Sequence, residues 1–215
     1  MKIFLGNESF TPPEANKFLD VVKNEFAKSF EVEDKFLSAW LHHHGESQGK
    51  WLRARLALAA GGLLGLSSQT SINWAVVSEL IHSASLLHDD VCDQDSLRRG
   101  QSSVWKAYGI SAAICTGDYL IAESFRKITE IEEGWHQTIL LKLLSCSVKE
   151  IIFGQSKDVS FDVLDMSWDE YMKMVINKTS PFIALPMMGM FKCKECSIDE
   201  CNGLQEASNY LGLSY

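Results

Sequence analysis

Nowhere among the 215 residues do eighteen apolar residues follow one another, so the sequence offers no transmembrane helix. The opening stretch, Met1 to Asn7, holds too short an apolar patch for a secretory signal. Basic residues are outnumbered, 20 against 28 acidic, and the net charge of −8 argues against a general nucleic-acid binder. Only four prolines occur, and no alternation of apolar and polar residues runs long enough to predict a strand. Repeats, low-complexity tracts and linker-like segments are also missing, so residues 1–215 read as one domain. The six cysteines read as reduced thiols of a cytoplasmic protein rather than as a disulfide framework. Cys193 and Cys196, with Cys201 nearby, have half the spacing of a zinc site; with no fourth ligand or second pair evident, they read as loop cysteines.

Helical periodicity is what remains. Helices are predicted from Pro12-Pro13 to about Ser29, over about Val32 to His42, and from Lys50 to Leu64, ended by Gly65. A longer helix from about Thr70 carries Ile72, Val76, Leu80, Leu87 and Val91 at three-to-four-residue spacing, and Gly100 breaks the pattern. Further helices are expected over about Ser111–Thr129, Trp135–Lys157, Trp168–Lys192 and Cys201–Tyr215. Thr70 to Asn73 supply N-cap candidates, and Ser167 with Glu170 resembles a capping box. The fold class is all-α.

The chemistry concentrates in Ser85 to Gly100. Asp89, Asp90, Asp93 and Asp95 crowd the C-terminal end of the long helix, where the macrodipole disfavours carboxylates, so a cation is expected to offset them. Helical spacing aligns His82, Asp89 and Asp93 along one face, with Asp90 beside them. Oxygen-only ligands suit Mg²⁺ better than zinc, and Mg²⁺ held by few carboxylates keeps waters or takes phosphate oxygens. A phosphorylated ligand is therefore implied. Arg98 and Arg99, with forked guanidinium groups, are placed to bind further phosphate oxygens.

Leu86 to Gly100 resembles the first aspartate-rich motif of the trans-isoprenyl diphosphate synthases, the polyprenyl synthetase family. Gly49-Lys50-Trp51-Leu52-Arg53, Glu79 to His82, Tyr108-Gly109, Gly117 to Ala122, Gly154-Gln155 with Asp158, and Asn177 to Ser180 resemble other blocks of that family, in its order, over residues 45–215. The resemblance implies an antiparallel helix bundle around a central hydrophobic cleft. It implies that Asp89, Asp90 and Asp93 hold Mg²⁺ against an allylic diphosphate, with Arg98 and Lys178 contacting that diphosphate and Thr179 beside it. Lys50, Arg53, His82 and Arg99 would bind the diphosphate of isopentenyl diphosphate, and Gln155 would sit near the developing allylic cation. Ile81, Ala84 and Ser85, one to two turns before Asp89, would line the pocket floor, and the small Ala84 and Ser85 leave room for a product beyond fifteen carbons. The implied activity is condensation of isopentenyl diphosphate with an allylic diphosphate, with released pyrophosphate as the base that removes a proton.

The sequence departs from the family pattern in places. Trp51 stands where the pattern has arginine, Ala54 where it has proline, and Ser102-Ser103-Val104-Trp105 where it has Pro-Thr-Val-His. His42, His43 and His44 point around a helix rather than together and read as surface, or as a partner contact. Tyr210 to Tyr215 resemble the lead-in to a second aspartate-rich motif that the sequence does not contain. A truncated synthase or a natural short homologue, turning over slowly or not at all, is expected from that. A homodimer is implied by the resemblance, and a non-catalytic subunit paired with a full-length synthase is the alternative. A terpene cyclase is a third reading, against which Lys50, Arg53, His82 and Arg99 argue.

Overall fold

The computed structural model describes residues 3–5, 8–10, 12–46, 49–160 and 167–214, with side chains from Phe18 onward. Its helices are α1 (Pro12–Lys28), α2 (Lys35–Glu46), α3 (Leu52–Leu63), α4 (Ser68–Cys92), α5 (Val104–Tyr108), α6 (Ile110–Ile128), α7 (Gly134–Ser160), α8 (Trp168–Cys193) and α9 (Ile198–Leu213). The all-α reading holds, and among the described residues no helix is long and apolar enough to cross a membrane.

α4 is the spine: Thr70, Ser71 and every residue from Asn73 to Ile81 are buried, so this stretch is covered on nearly every side. Trp74, Val76, Leu80 and Leu87 are fully buried against α3, α6 and α8. The Trp74 indole donates to the carbonyls of Leu185 and Pro186 at 3.2 and 3.0 Å, which ties α4 to α8. α1 is held by polar contacts as well as packing. Buried Lys127 on α6 reaches Glu25 at 3.0 Å, and the Tyr119 hydroxyl donates to the Ser29 carbonyl at 2.9 Å.

The capping box at Ser167–Glu170 forms as expected. The N-cap of α4 does not fall at Thr70 to Asn73. It is Ser67, whose hydroxyl accepts from the Thr70 N–H at 3.2 Å. Two ribbons were not foreseen: β1 (Ile3–Leu5) pairs with β2 (Glu8–Phe10), and β3 (Leu97–Arg98) with β4 (Gln101–Ser102), both antiparallel. Strands this short carry no readable alternation. Arg99 and Gly100 close the second ribbon with φ of 52° and 84°, the positive pair that a two-residue type I′ turn needs.

Candidate active site

The β3–β4 ribbon folds back beside the end of α4 and is pinned from three directions. Arg98 donates from Nε and Nη2 to Oδ1 of Asp90, a carboxylate 3% exposed, and Nη2 lies 3.6 Å from Asp95. The Ser103 hydroxyl and the Trp105 indole both donate to the Asp95 carbonyl, at 2.7 and 2.8 Å, and fix this loop. On the α2 side, His43 Nε2 meets the Ser102 carbonyl at 2.7 Å and Gln101 donates to Glu46 at 2.7 Å.

On one side of the ribbon is an acidic edge. α4 ends at Cys92, with Asp93 as its C-cap one turn beyond Asp89. Burial pushes the Asp89 carboxyl above its usual range, Asp93 adds to this, and Lys178 opposes it. Lys178 itself, on α8, is bonded to Asp158 on α7. The two helices touch backbone to backbone here: a Cβ on Gly154 would lie 2.7 Å from the Lys178 nitrogen, so glycine is required. Gln155 follows, with both amide atoms buried and no hydrogen-bond partner among the described residues. Asp90, expected as a third metal ligand, accepts Arg98 at Oδ1. Among the described residues no three carboxylate, imidazole or thiol side chains converge on one metal position.

On the other side is a cationic pocket, lined by Phe26, His44, Trp51, Glu79, His82 and Arg99. The Arg99 guanidinium lies over Gly49, where a Cβ would come within 2.7 Å of Nη2. Glu79, 8% exposed, accepts from the Ala54 N–H at 2.9 Å and so caps the start of α3 from α4. A proline at 54 could not donate that bond, which gives the alanine a structural role. Burial raises the Glu79 carboxyl, while its contacts with Ala54 and Arg53 act against this. Burial first, then Arg53 and Arg99, hold His82 down to about 2. Its Nδ1 is buried without a hydrogen-bond partner among the described residues, and its ring lies 5.6 Å from that of Phe182, over which the Arg53 guanidinium also sits at 5.9 Å. Lys50 is exposed at the edge.

Phe182 also walls an apolar hollow beneath the acidic edge, where Ile81, Ala84 and Ser85 meet Ile121, Val148 and Ile151. Thr179 does not face that hollow. With Arg53 it borders a separate trough of about 560 Å³ between α3, α8 and α9, otherwise lined by residues such as Leu56, Ile183, Met187 and Leu211.

Residues 34–215 match the family described as Polyprenyl synthetase. The chain belongs to that family. It is 28% identical over 197 residues to a short chain isoprenyl diphosphate synthase of Methanocaldococcus jannaschii, covering 92% of this chain and 60% of that one. The geranylgeranyl pyrophosphate synthetase structure from Geoglobus acetivorans superposes with a TM-score of 0.84 at 27% identity, over 92% of this chain and 66% of that one. A polyprenyl synthase from Caulobacter crescentus, complexed with calcium and isoprenyl diphosphate, gives 0.83 at 25% identity, over 93% and 60%. The chain thus spans about three-fifths of the length of the curated relative quoted.

Within this member of the family, the expected residues form two groups: Asp89, Asp93, Lys178 and Gln155 toward the acidic edge, and His82 and Arg99 at the pocket, with Arg53 acting on His82 from α3 and Arg98 joining the ribbon to α4. The residue that sequence reasoning missed is His44. It is half-buried in the pocket, where burial and the guanidiniums of Arg99 and Arg98 hold it down to about 4. Read as surface, it is brought inward because His43 and Glu46 dock α2 onto the ribbon. Nothing local in three consecutive histidines announces a contact 55 residues away.

Proposed function

We propose that this chain contributes to a prenyltransferase that joins isopentenyl diphosphate to an allylic diphosphate, giving a longer isoprenyl diphosphate. The observation that carries the reading is the ribbon itself, with a carboxylate edge on one side and a guanidinium–imidazole pocket on the other. Two sites of different chemistry suit two diphosphate-bearing substrates, one of which must lose its diphosphate and one of which must keep it.

The acidic edge suits Mg²⁺. No hydrogen bond from the described residues reaches the carboxylates of Asp89 and Asp93, and the strain of burying Asp89 among like charges is relieved by a hard divalent cation. Asp89 and Asp93 would hold it, and when bound it neutralises charge on a diphosphate leaving group. Lys178 adds a fixed positive charge on the same side. Arg53, Arg99 and His82 orient the second diphosphate across the ribbon. The hollow at Ile81, Ala84 and Ser85 takes the allylic hydrocarbon and keeps water from it. The enzyme works in the cytoplasm, in keeping with six free cysteines. A second copy, or a longer synthase of the family, pairs with exposed apolar side chains such as Ile114 of α6 and Phe153 of α7.

The test is titration of the purified chain with isopentenyl diphosphate, and with geranyl and farnesyl diphosphates with and without Mg²⁺, followed by product analysis. Binding of the allylic compounds that requires Mg²⁺, alongside binding of isopentenyl diphosphate, is expected. Absence of both would refute the reading.

A further inference from the structure

The α4 wall of the hollow beneath the acidic edge is a stripe of Ile81, Ala84 and Ser85, and His88 continues it one turn further on. Because His88 directly precedes Asp89, its ring stands at the mouth, where a tail would enter from a headgroup held at the carboxylates. The hollow encloses about 60 Å³, and Ile152, 55% exposed, opens it to solvent at one side. In a space of that size the position of one ring decides what can enter.

What lets the ring lie where it does is a missing atom on α6. The His88 imidazole rests against Gly117, where a Cβ would come within 2.9 Å of Nε2, Cδ2 and Cε1. Nε2 also sits 3.5 Å from the Ile114 carbonyl and 3.5 Å from the Asp118 carboxylate, both on α6. Ile121, one turn along α6 from Gly117, forms the facing wall of the hollow. α6 cannot withdraw to make room for a side chain at 117, because Ala113, Thr116 and Leu120 around it are fully buried. The ring can move: its side chain is 32% exposed, and its neighbours Ala84 and Ser85 along the α4 stripe are small.

We propose that His88 and Gly117 are a specificity-determining pair: the bare backbone at 117 lets the imidazole lie on α6 and keeps the mouth of the hollow open to a long allylic tail. The proposal rests on the reading above, that the hollow takes the allylic hydrocarbon. It adds the position that sets how much tail passes the first turn below Asp89. A methyl group at 117 evicts the ring from α6, and the mouth of the hollow is the space beside it.

The experiment is calorimetric titration of the full chain, with Mg²⁺, against dimethylallyl and farnesyl diphosphates. The two share a headgroup, so the ratio of their affinities reports on the tail alone, and a change confined to the carboxylates cancels. Gly117→Ala is expected to lower the preference for farnesyl diphosphate about tenfold. His88→Ala should raise it about threefold. Gly117→Ala combined with His88→Ala should return it to at least the wild-type ratio, because no ring is left to be displaced. Ala84→Phe, which fills the same hollow from α4, is the reference. A ratio unchanged by Gly117→Ala but shifted by Ala84→Phe would overturn the pair and leave the substrate reading standing. A ratio that neither variant moves, or wild type that binds neither compound, would overturn both. A shift in Gly117→Ala that the double variant does not reverse would also overturn the proposal, since distortion of α6 rather than the ring would then be its cause. Should Gly117→Ala melt early, His88→Ala decides: a wild-type ratio in that variant would overturn the proposal.

Discussion

At the acidic edge, negative charges outnumber their partners, and one of three carboxylates is neutralised from within by Arg98. In the pocket, Arg99 of the ribbon meets His44 of α2 and His82 of α4, two imidazoles that burial and the nearby guanidiniums hold neutral. The two regions differ in the sign of their charge. Under the proposed function each receives a group of opposite sign, and the difference between Asp89 and Asp90 is the sharpest way to probe it.

Asp90→Ala should have the largest effect. It strands a guanidinium that is 26% exposed and unpins the ribbon, so unfolding in urea should show a loss of about 3 kcal/mol. A loss under about 1 kcal/mol would mean that the pair behaves as a surface one. Asp89→Asn should contrast with it. Because the Asp89 carboxyl is raised in the fold, the stability linked to it is complete below its ordinary value of 3.8 and declines as pH rises through the folded value. The variant should therefore be at least as stable as wild type at neutral pH, while Mg²⁺-dependent binding of an allylic diphosphate falls about 100-fold. Undiminished binding would remove Asp89 from the site. The smallest effect is expected from Ala84→Phe, in the hollow beneath the edge. It should shift the tail-length preference toward shorter allylic diphosphates by about tenfold, and an unchanged preference or product length would show that the hollow does not take the chain.

Much of this molecule was legible because its signals are local. The capping box at Ser167 depends on a residue three positions on, and the aspartate spacing depends on one helical turn. Ser67 does not stand out in the sequence, because several hydroxyl side chains close together satisfy the same N-cap chemistry and only the path of the preceding loop chooses among them. The ribbon escaped because its strands are two residues long. The inward turn of His44 and the partnership of Ala54 with Glu79 arise from contacts across 25 residues or more, which periodicity does not encode. Asp90 and Arg98 lie only eight residues apart, yet the pairing needs the chain reversal after Cys92 to occur.

That reversal has a metrical consequence. Arg98 and Arg99 are consecutive, one committed to the acidic edge and the other to the opposite pocket. Their Cα atoms are held about 3.8 Å apart by a peptide bond. Helices may breathe and side chains may swing, but the offset between the two anchors is written in covalent bonds. Under the proposed function, the chain carries its own ruler for how far apart the two substrate headgroups can be held.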